Sequence, residues 1–91
     1  MPYVKQNKRV LFARIIDAVR TQFKGFEKEI DKGDINYIIT CIMKEYINIK
    51  GKSYSTSNDL VGILECAKLE LYRRFIAPYE DEKIKENGDV Y

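Results

Sequence analysis

The sequence predicts an all-α protein, a small bundle of three amphipathic helices with a short fourth helix after Pro78. Two observations carry this. Apolar residues recur at three- and four-residue spacing through three separate stretches. Cap-forming residues and glycines fall between those stretches, where helix ends need them. Ninety-one residues fit a single domain spanning the whole chain, with a modest core.

Residues 1–9 are polar and basic (Lys5, Gln6, Asn7, Lys8, Arg9) and read as a flexible arm. From Val10 to about Phe23, Leu11, Phe12, Ile15, Ile16, Ala18, Val19 and Phe23 share one side of a helix, with Arg14, Asp17, Arg20 and Thr21 on the other. Gly25 interrupts the pattern, and Phe26 to Lys32 is a charged connector. Gly33-Asp34 then supplies a capping carboxylate for a second helix. Its stripe is Ile35, Ile38, Ile39, Ile42, Tyr46 and Ile49. A strand over Tyr37–Met43 is set aside because the 3.6-residue period runs on too long. Gly51 stands where a left-handed residue closes a helix.

Lys52 to Asn58 is a hydroxyl-rich loop, with Ser57 or Asn58 capping the third helix. Leu60, Ile63, Leu64, Ala67, Leu71 and Phe75 form its stripe to about Ala77. Pro78 cannot donate to the preceding turn, so a break or bend is expected there, and it can equally open a new helix at its first position. Residues 79–86 form the short helix, folded back toward Tyr72, and Asn87-Gly88 ends it. Tyr37, Leu69 and Ile76 lie outside the main stripes. Burying that surplus calls for a homo-oligomer, a dimer or tetramer.

Composition removes several function classes. There is no histidine, so Cys/His zinc sites and histidine-based triads are absent. Cys41 and Cys66 sit inside helical patterns and read as small helix residues in a reducing compartment. The net charge of +2 argues against a duplex-DNA binder. No apolar stretch approaches the roughly twenty residues a membrane span needs, and the N-terminus lacks the apolar region of a secretory signal. The expected location is the cytoplasm. Gly51-Lys52-Ser53 imitates the tail of a phosphate loop but lacks the upstream glycine and strand. Glu80-Asp81-Glu82 reads as a solvated charge run. No cofactor and no catalytic residue are expected.

One constellation stands out. Val61, Glu65, Lys68, Tyr72 and Ile76 form a strip beside the third stripe, followed by Arg73-Arg74, Tyr79 and Lys83. Phenol faces among ammonium and guanidinium groups suit a nucleotide, with stacking for the base and charge for the phosphate. The same residues also make an ordinary helix flank, with Glu65 and Lys68 a weak surface pair.

The strings Gly33-Asp34-Ile35-Asn36-Tyr37, Tyr54-Ser55-Thr56-Ser57-Asn58-Asp59-Leu60-Val61-Gly62 and Leu64 to Arg74 resemble those of a widespread family of small phage and prophage proteins. The resemblance continues through Ala77-Pro78-Tyr79-Glu80-Asp81-Glu82-Lys83-Ile84 to Glu86-Asn87-Gly88-Asp89-Val90-Tyr91. It covers the last two thirds of the chain. Size, phage distribution and helical build are similar to those of phage sponge proteins that defeat CBASS-type immunity by sequestering cyclic nucleotide signals without cleaving them.

What this resemblance implies is a phage immune-evasion sponge in the host bacterial cytoplasm, not an enzyme. The contacts are read from the residues themselves and not from the family: Tyr72 and Tyr79 would stack on bases, and Lys68, Arg73 and Lys83 would meet phosphates. Glu65 would accept from a base amino group. Asn36, Thr56 and Asn58 would read base edges or fix the loop. The alternative is a phage protein–protein interaction module, an inhibitor of a host enzyme or a virion-assembly factor. A DNA-binding regulator using Lys5, Lys8 and Arg9 is a third reading.

Overall fold

The computed structural model describes residues 2–91; Met1, at the tip of the expected arm, lies outside them. The described residues form helices joined by short turns and connectors, with no strand. The all-α expectation therefore holds. The elements are α1 (Gln6–Arg9), a 3-10 turn (Val10–Phe12), α2 (Ala13–Gly25), α3 (Lys32–Lys50), α4 (Tyr54–Leu71), a π-turn (Tyr72–Ile76) and α5 (Ala77–Asn87). The chain gathers into two compact units, one of residues 3–56 and one of residues 57–91 with Pro2.

In the first unit the basic segment is not wholly extended. Residues 6–9 make one helical turn, and the Arg9 guanidinium donates to the Val4 carbonyl at 2.6 Å. After α2, the amides of Glu29 and Ile30 both donate to the Phe26 carbonyl and turn the chain. The start of α3 differs from the expected Gly33-Asp34 cap. Asp31 is the cap: its Oδ1 accepts from the Asp34 amide at 3.0 Å, and Asp34 Oδ2 accepts from the Asp31 amide at 3.1 Å. Two amides that have no partner inside the helix are thus satisfied reciprocally. Asp34 is the third helical residue, and Gly33 lies within the first turn.

The β-branched residues of α3 lower its helix propensity, yet Ile35 and Ile38 are only half-buried and Ile42 and Ile49 stand exposed. Gly51 closes α3 at φ 90°, its amide donating to Ile47. The positive φ expected of it is present, but ψ is 158°, so the chain leaves extended rather than in a left-handed turn.

Helix α4 also begins earlier than expected. Ser53 Oγ accepts from the Thr56 amide at 3.1 Å, so Ser53 does the capping. Thr56, Ser57 and Asn58 lie inside the helix, not in a loop. In residues 57–91, Leu60 is the one buried apolar side chain, at 8% exposure.

Pro78 does not break the helix, and residues 79–86 do not fold back. The correction has a physical cause. A proline ring collides with the carbonyl four residues earlier and offers no amide. Here the preceding turn is widened, with the Ala77 amide donating to Tyr72 five residues back. Pro78 then stands in the first turn of α5, directly after the widened turn. Gly88, at φ 89°, closes α5 as expected.

Candidate functional site

The flank predicted for nucleotide contacts lies along α4, the π-turn and α5, and all of it but the half-buried Ile76 is exposed. Glu65 and Lys68 pair at 3.0 Å. Arg73 reaches Glu70 at 2.9 Å. Tyr72 donates its phenol proton to Glu80 at 2.8 Å, and that bond and the carboxylate charge push its pKa above the ordinary tyrosine value. Lys83 Nζ stands 5.4 Å above the Tyr79 ring and also meets Glu86 at 3.0 Å. Each of these cations therefore has a carboxylate beside it. Such exposed pairs hold loosely in water, so a stronger anion could displace them.

The π-turn changes which residues share a face. It adds one residue without adding a turn, so everything after it is rotated by about 100° relative to a plain α-helix. Glu80, eight residues on from Tyr72, comes onto its side, as their hydrogen bond records. Tyr79 is carried off that side. The two rings expected to stack on neighbouring bases thus point to different sides of the helix. Arg73, Tyr79 and Lys83 do not join Lys68 and Tyr72 in one wall.

The remaining predicted residues are placed as follows. Asn36 is exposed on α3, where its carbonyl accepts from the Thr40 hydroxyl at 2.8 Å. Asn58 is exposed on α4. Thr56 is only 5% exposed, and its Oγ1 accepts from the Ser53 hydroxyl at 3.1 Å. The side chain expected to read a base edge or fix the loop is buried in the cap of its own helix.

A different feature of the first unit was not singled out from the sequence. A groove of about 620 Å³ is lined by Ile15, Val19 and Phe23 of α2, Phe26 and Ile30 of the connector, and Tyr37 and Ile38 of α3. Its charged lining residues are both acidic, Glu29 and Asp34. The Tyr37 phenol is pushed above its ordinary pKa by a hydrogen bond to the Cys41 side chain. The sequence marks Ile15, Val19, Phe23 and Ile38 as core stripe, Phe26 and Ile30 as part of the charged connector, and Tyr37 as apolar surplus outside the stripes. The available signal was that α2 and α3 both carry apolar stripes wider than one helix partner covers.

A family model described as a domain of unknown function, DUF6899, matches residues 1–90. The chain belongs to the DUF6899 family. No curated protein and no solved structure matches it. Among the described residues of this DUF6899 chain, no group of three or more His, Cys, Asp or Glu side chains is placed to hold a metal ion. Among the same described residues, no helix is long and apolar enough to cross a membrane.

Charge divides unevenly along the DUF6899 chain. Residues 3–56 hold eleven basic and six acidic side chains, whereas residues 57–91 hold five basic and eight acidic. The nucleotide flank therefore sits in the net-acidic part, which opposes a polyanionic ligand.

Proposed function

We propose that this DUF6899 protein is a non-catalytic interaction module whose α2–α3 groove receives an apolar protein helix. The groove itself carries the reading. Its walls are aliphatic and aromatic, its charged lining residues are acidic, and no cation lines it to meet a phosphate. Apolar residues spaced three and four apart on a partner helix are the natural complement of such a cleft. A photo-crosslinking residue at Val19, with Arg14 on the opposite side of α2 as control, tests it in the producing cell. Polypeptide adducts from position 19 alone support the proposal. Equal yields from both positions, or none, overturn it.

A second reading, the nucleotide sponge, has one observation in its favour. Lys68, Tyr72, Arg73, Arg74, Tyr79 and Lys83 are all solvent-exposed along one continuous helix. Against it stand the carboxylate beside each paired cation, the separation of the two rings, and the acidic balance of residues 57–91. The sponge reading carries with it the phage origin, the host cytoplasm and a homo-oligomer. A thermal-shift screen against cyclic dinucleotides and oligonucleotides decides it. Ligand at about a hundred times its dissociation constant adds about 2.7 kcal/mol of stability to a true binder. An unchanged melting temperature across the panel removes this reading.

A further inference from the structure

We infer that the polypeptide received by the α2–α3 groove is a cationic amphipathic helix, with lysine or arginine beside its apolar stripe. The inference rests on the interaction-module reading and names the chemistry of its partner. The apolar wall sets the anchors. Ile15, Val19 and Phe23 follow one another at four-residue steps along α2, so this wall is about 12 Å long. A partner helix with apolar residues at i, i+4 and i+7 presents a stripe of about 10 Å. The wall also lacks cover: Ile15 is 59% exposed, Phe26 52% and Tyr37 70%.

The groove's own charge selects what flanks that stripe. Glu29 and Asp34 line it, both exposed, and no cation lines it to offset them. Both belong to the stretch that leads from the connector into α3, where residues 27–34 hold four acidic side chains against two basic. Asp34 Oδ2 accepts from the Asp31 amide, a neutral donor that does not offset its charge. The cations of α2 are turned elsewhere. At about 100° per residue, Arg14, Arg20 and Lys24 point away from the side that carries Ile15, Val19 and Phe23, and Arg20 is paired with Asp17 at 3.4 Å. The 3–56 unit is net basic, but salt shortens the reach of that excess to roughly 8 Å at physiological ionic strength. The lining carboxylates therefore decide what is held inside. An acidic helix would set like charges together there. Lysine or arginine tips would meet the two carboxylates while their methylene stems extend the apolar contact.

The test uses the full chain and two synthetic helical peptides that share one leucine stripe, flanked by lysine in the first and by glutamate in the second. Fluorescence anisotropy at low salt is expected to show the lysine peptide bound about tenfold tighter, with the difference shrinking as salt rises. Glu29→Gln and Asp34→Asn should each lower that preference, and together they should abolish it. Asp34→Asn keeps an acceptor for the Asp31 amide, and circular dichroism checks that α3 stays folded. Glu82→Gln removes the same charge from an exposed site of the other unit and should leave the preference unchanged. Val19→Gln should weaken both peptides alike. Two peptides bound equally, and both lost in Val19→Gln, would overturn the cationic partner and leave the groove reading standing. A preference that survives in the Glu29→Gln, Asp34→Asn double variant also overturns it, since the charge would then be read elsewhere. So would binding of neither peptide, or self-association of the parent that shuts the lysine peptide out. Position-19 adducts judge the groove reading itself, independently of either peptide.

Discussion

Replacing Asp31 by alanine isolates the device that starts α3. The side chain contributes one hydrogen bond, from the Asp34 amide to Oδ1 at 3.0 Å, at the head of a nineteen-residue helix. Removing an N-cap acceptor typically destabilises by about 1 kcal/mol, within a range of roughly 0.5–2. The reciprocal bond from Asp34 remains in Asp31→Ala, so about 1 kcal/mol rather than the top of that range applies to it. For a chain of this size about 1 kcal/mol lowers the melting temperature by roughly 4–8 °C. Asp31→Asn and Asp31→Ser keep an acceptor and should lie near the parent. The double alanine variant should lose less than the sum of the singles, because the two bonds share one box. Thermal unfolding followed by circular dichroism at matched protein concentration supplies the numbers. An Asp31→Ala variant as stable as the parent, or an Asp31→Asn variant as unstable as the alanine one, would refute the capping assignment.

Other outcomes follow from single sites. Gly62 lies inside α4 with nothing near a prospective Cβ, so Gly62→Ala should stabilise by about 0.5–1 kcal/mol in denaturant melts. Gly33→Ala should gain less, because its Cβ would stand 3.2 Å from the Asp31 oxygen that caps the helix. Gly51 sits at φ 90°, and Gly51→Ala should destabilise by about 1 kcal/mol, read in the same melts. Tyr72 titrates above the ordinary tyrosine value because ionisation destroys its bond to Glu80 and sets two anions together. Its folded pKa being the higher one, that contact is fully present below the unfolded tyrosine value near 10. It is lost as pH rises through the folded value. The difference between parent and Tyr72→Phe ultraviolet titrations should show a late phenol, and Glu80→Gln should bring it earlier.

The helical class was legible because the apolar period in residues 35–49 runs too long for a strand. Helix starts were harder. Asp31 caps α3 from four residues before its first isoleucine, and Gly33 between them reads as punctuation although a first turn tolerates it. The segment from Ser53 to Asn58 contains five residues able to cap, and spacing alone does not choose among Ser53, Ser57 and Asn58. Pro78 was read from its missing amide, whereas the widened turn before it is invisible to residue type. Because of that turn, Glu80, dismissed as part of a charge run, becomes the partner of Tyr72. Lys68 and Glu65 do form the surface pair that their spacing allows. The groove was hidden for another reason: the sequence marks Ile15, Val19 and Phe23 as apolar but does not say what covers them.

Consider finally what the π-turn means for insertions and deletions. Between Leu71 and Ala77 the helix holds one residue more than its turns require. Removing any one of residues 73–76 leaves the number of turns unchanged and turns the C-terminal segment through about 100° like a dial. The loss brings the proline ring back against a regular helical carbonyl, at a cost of about 3 kcal/mol. The spare residue and Pro78 are therefore tolerated together, and a change in either is felt by the other. A length change here re-aims Tyr79, Glu80 and Lys83 without touching them.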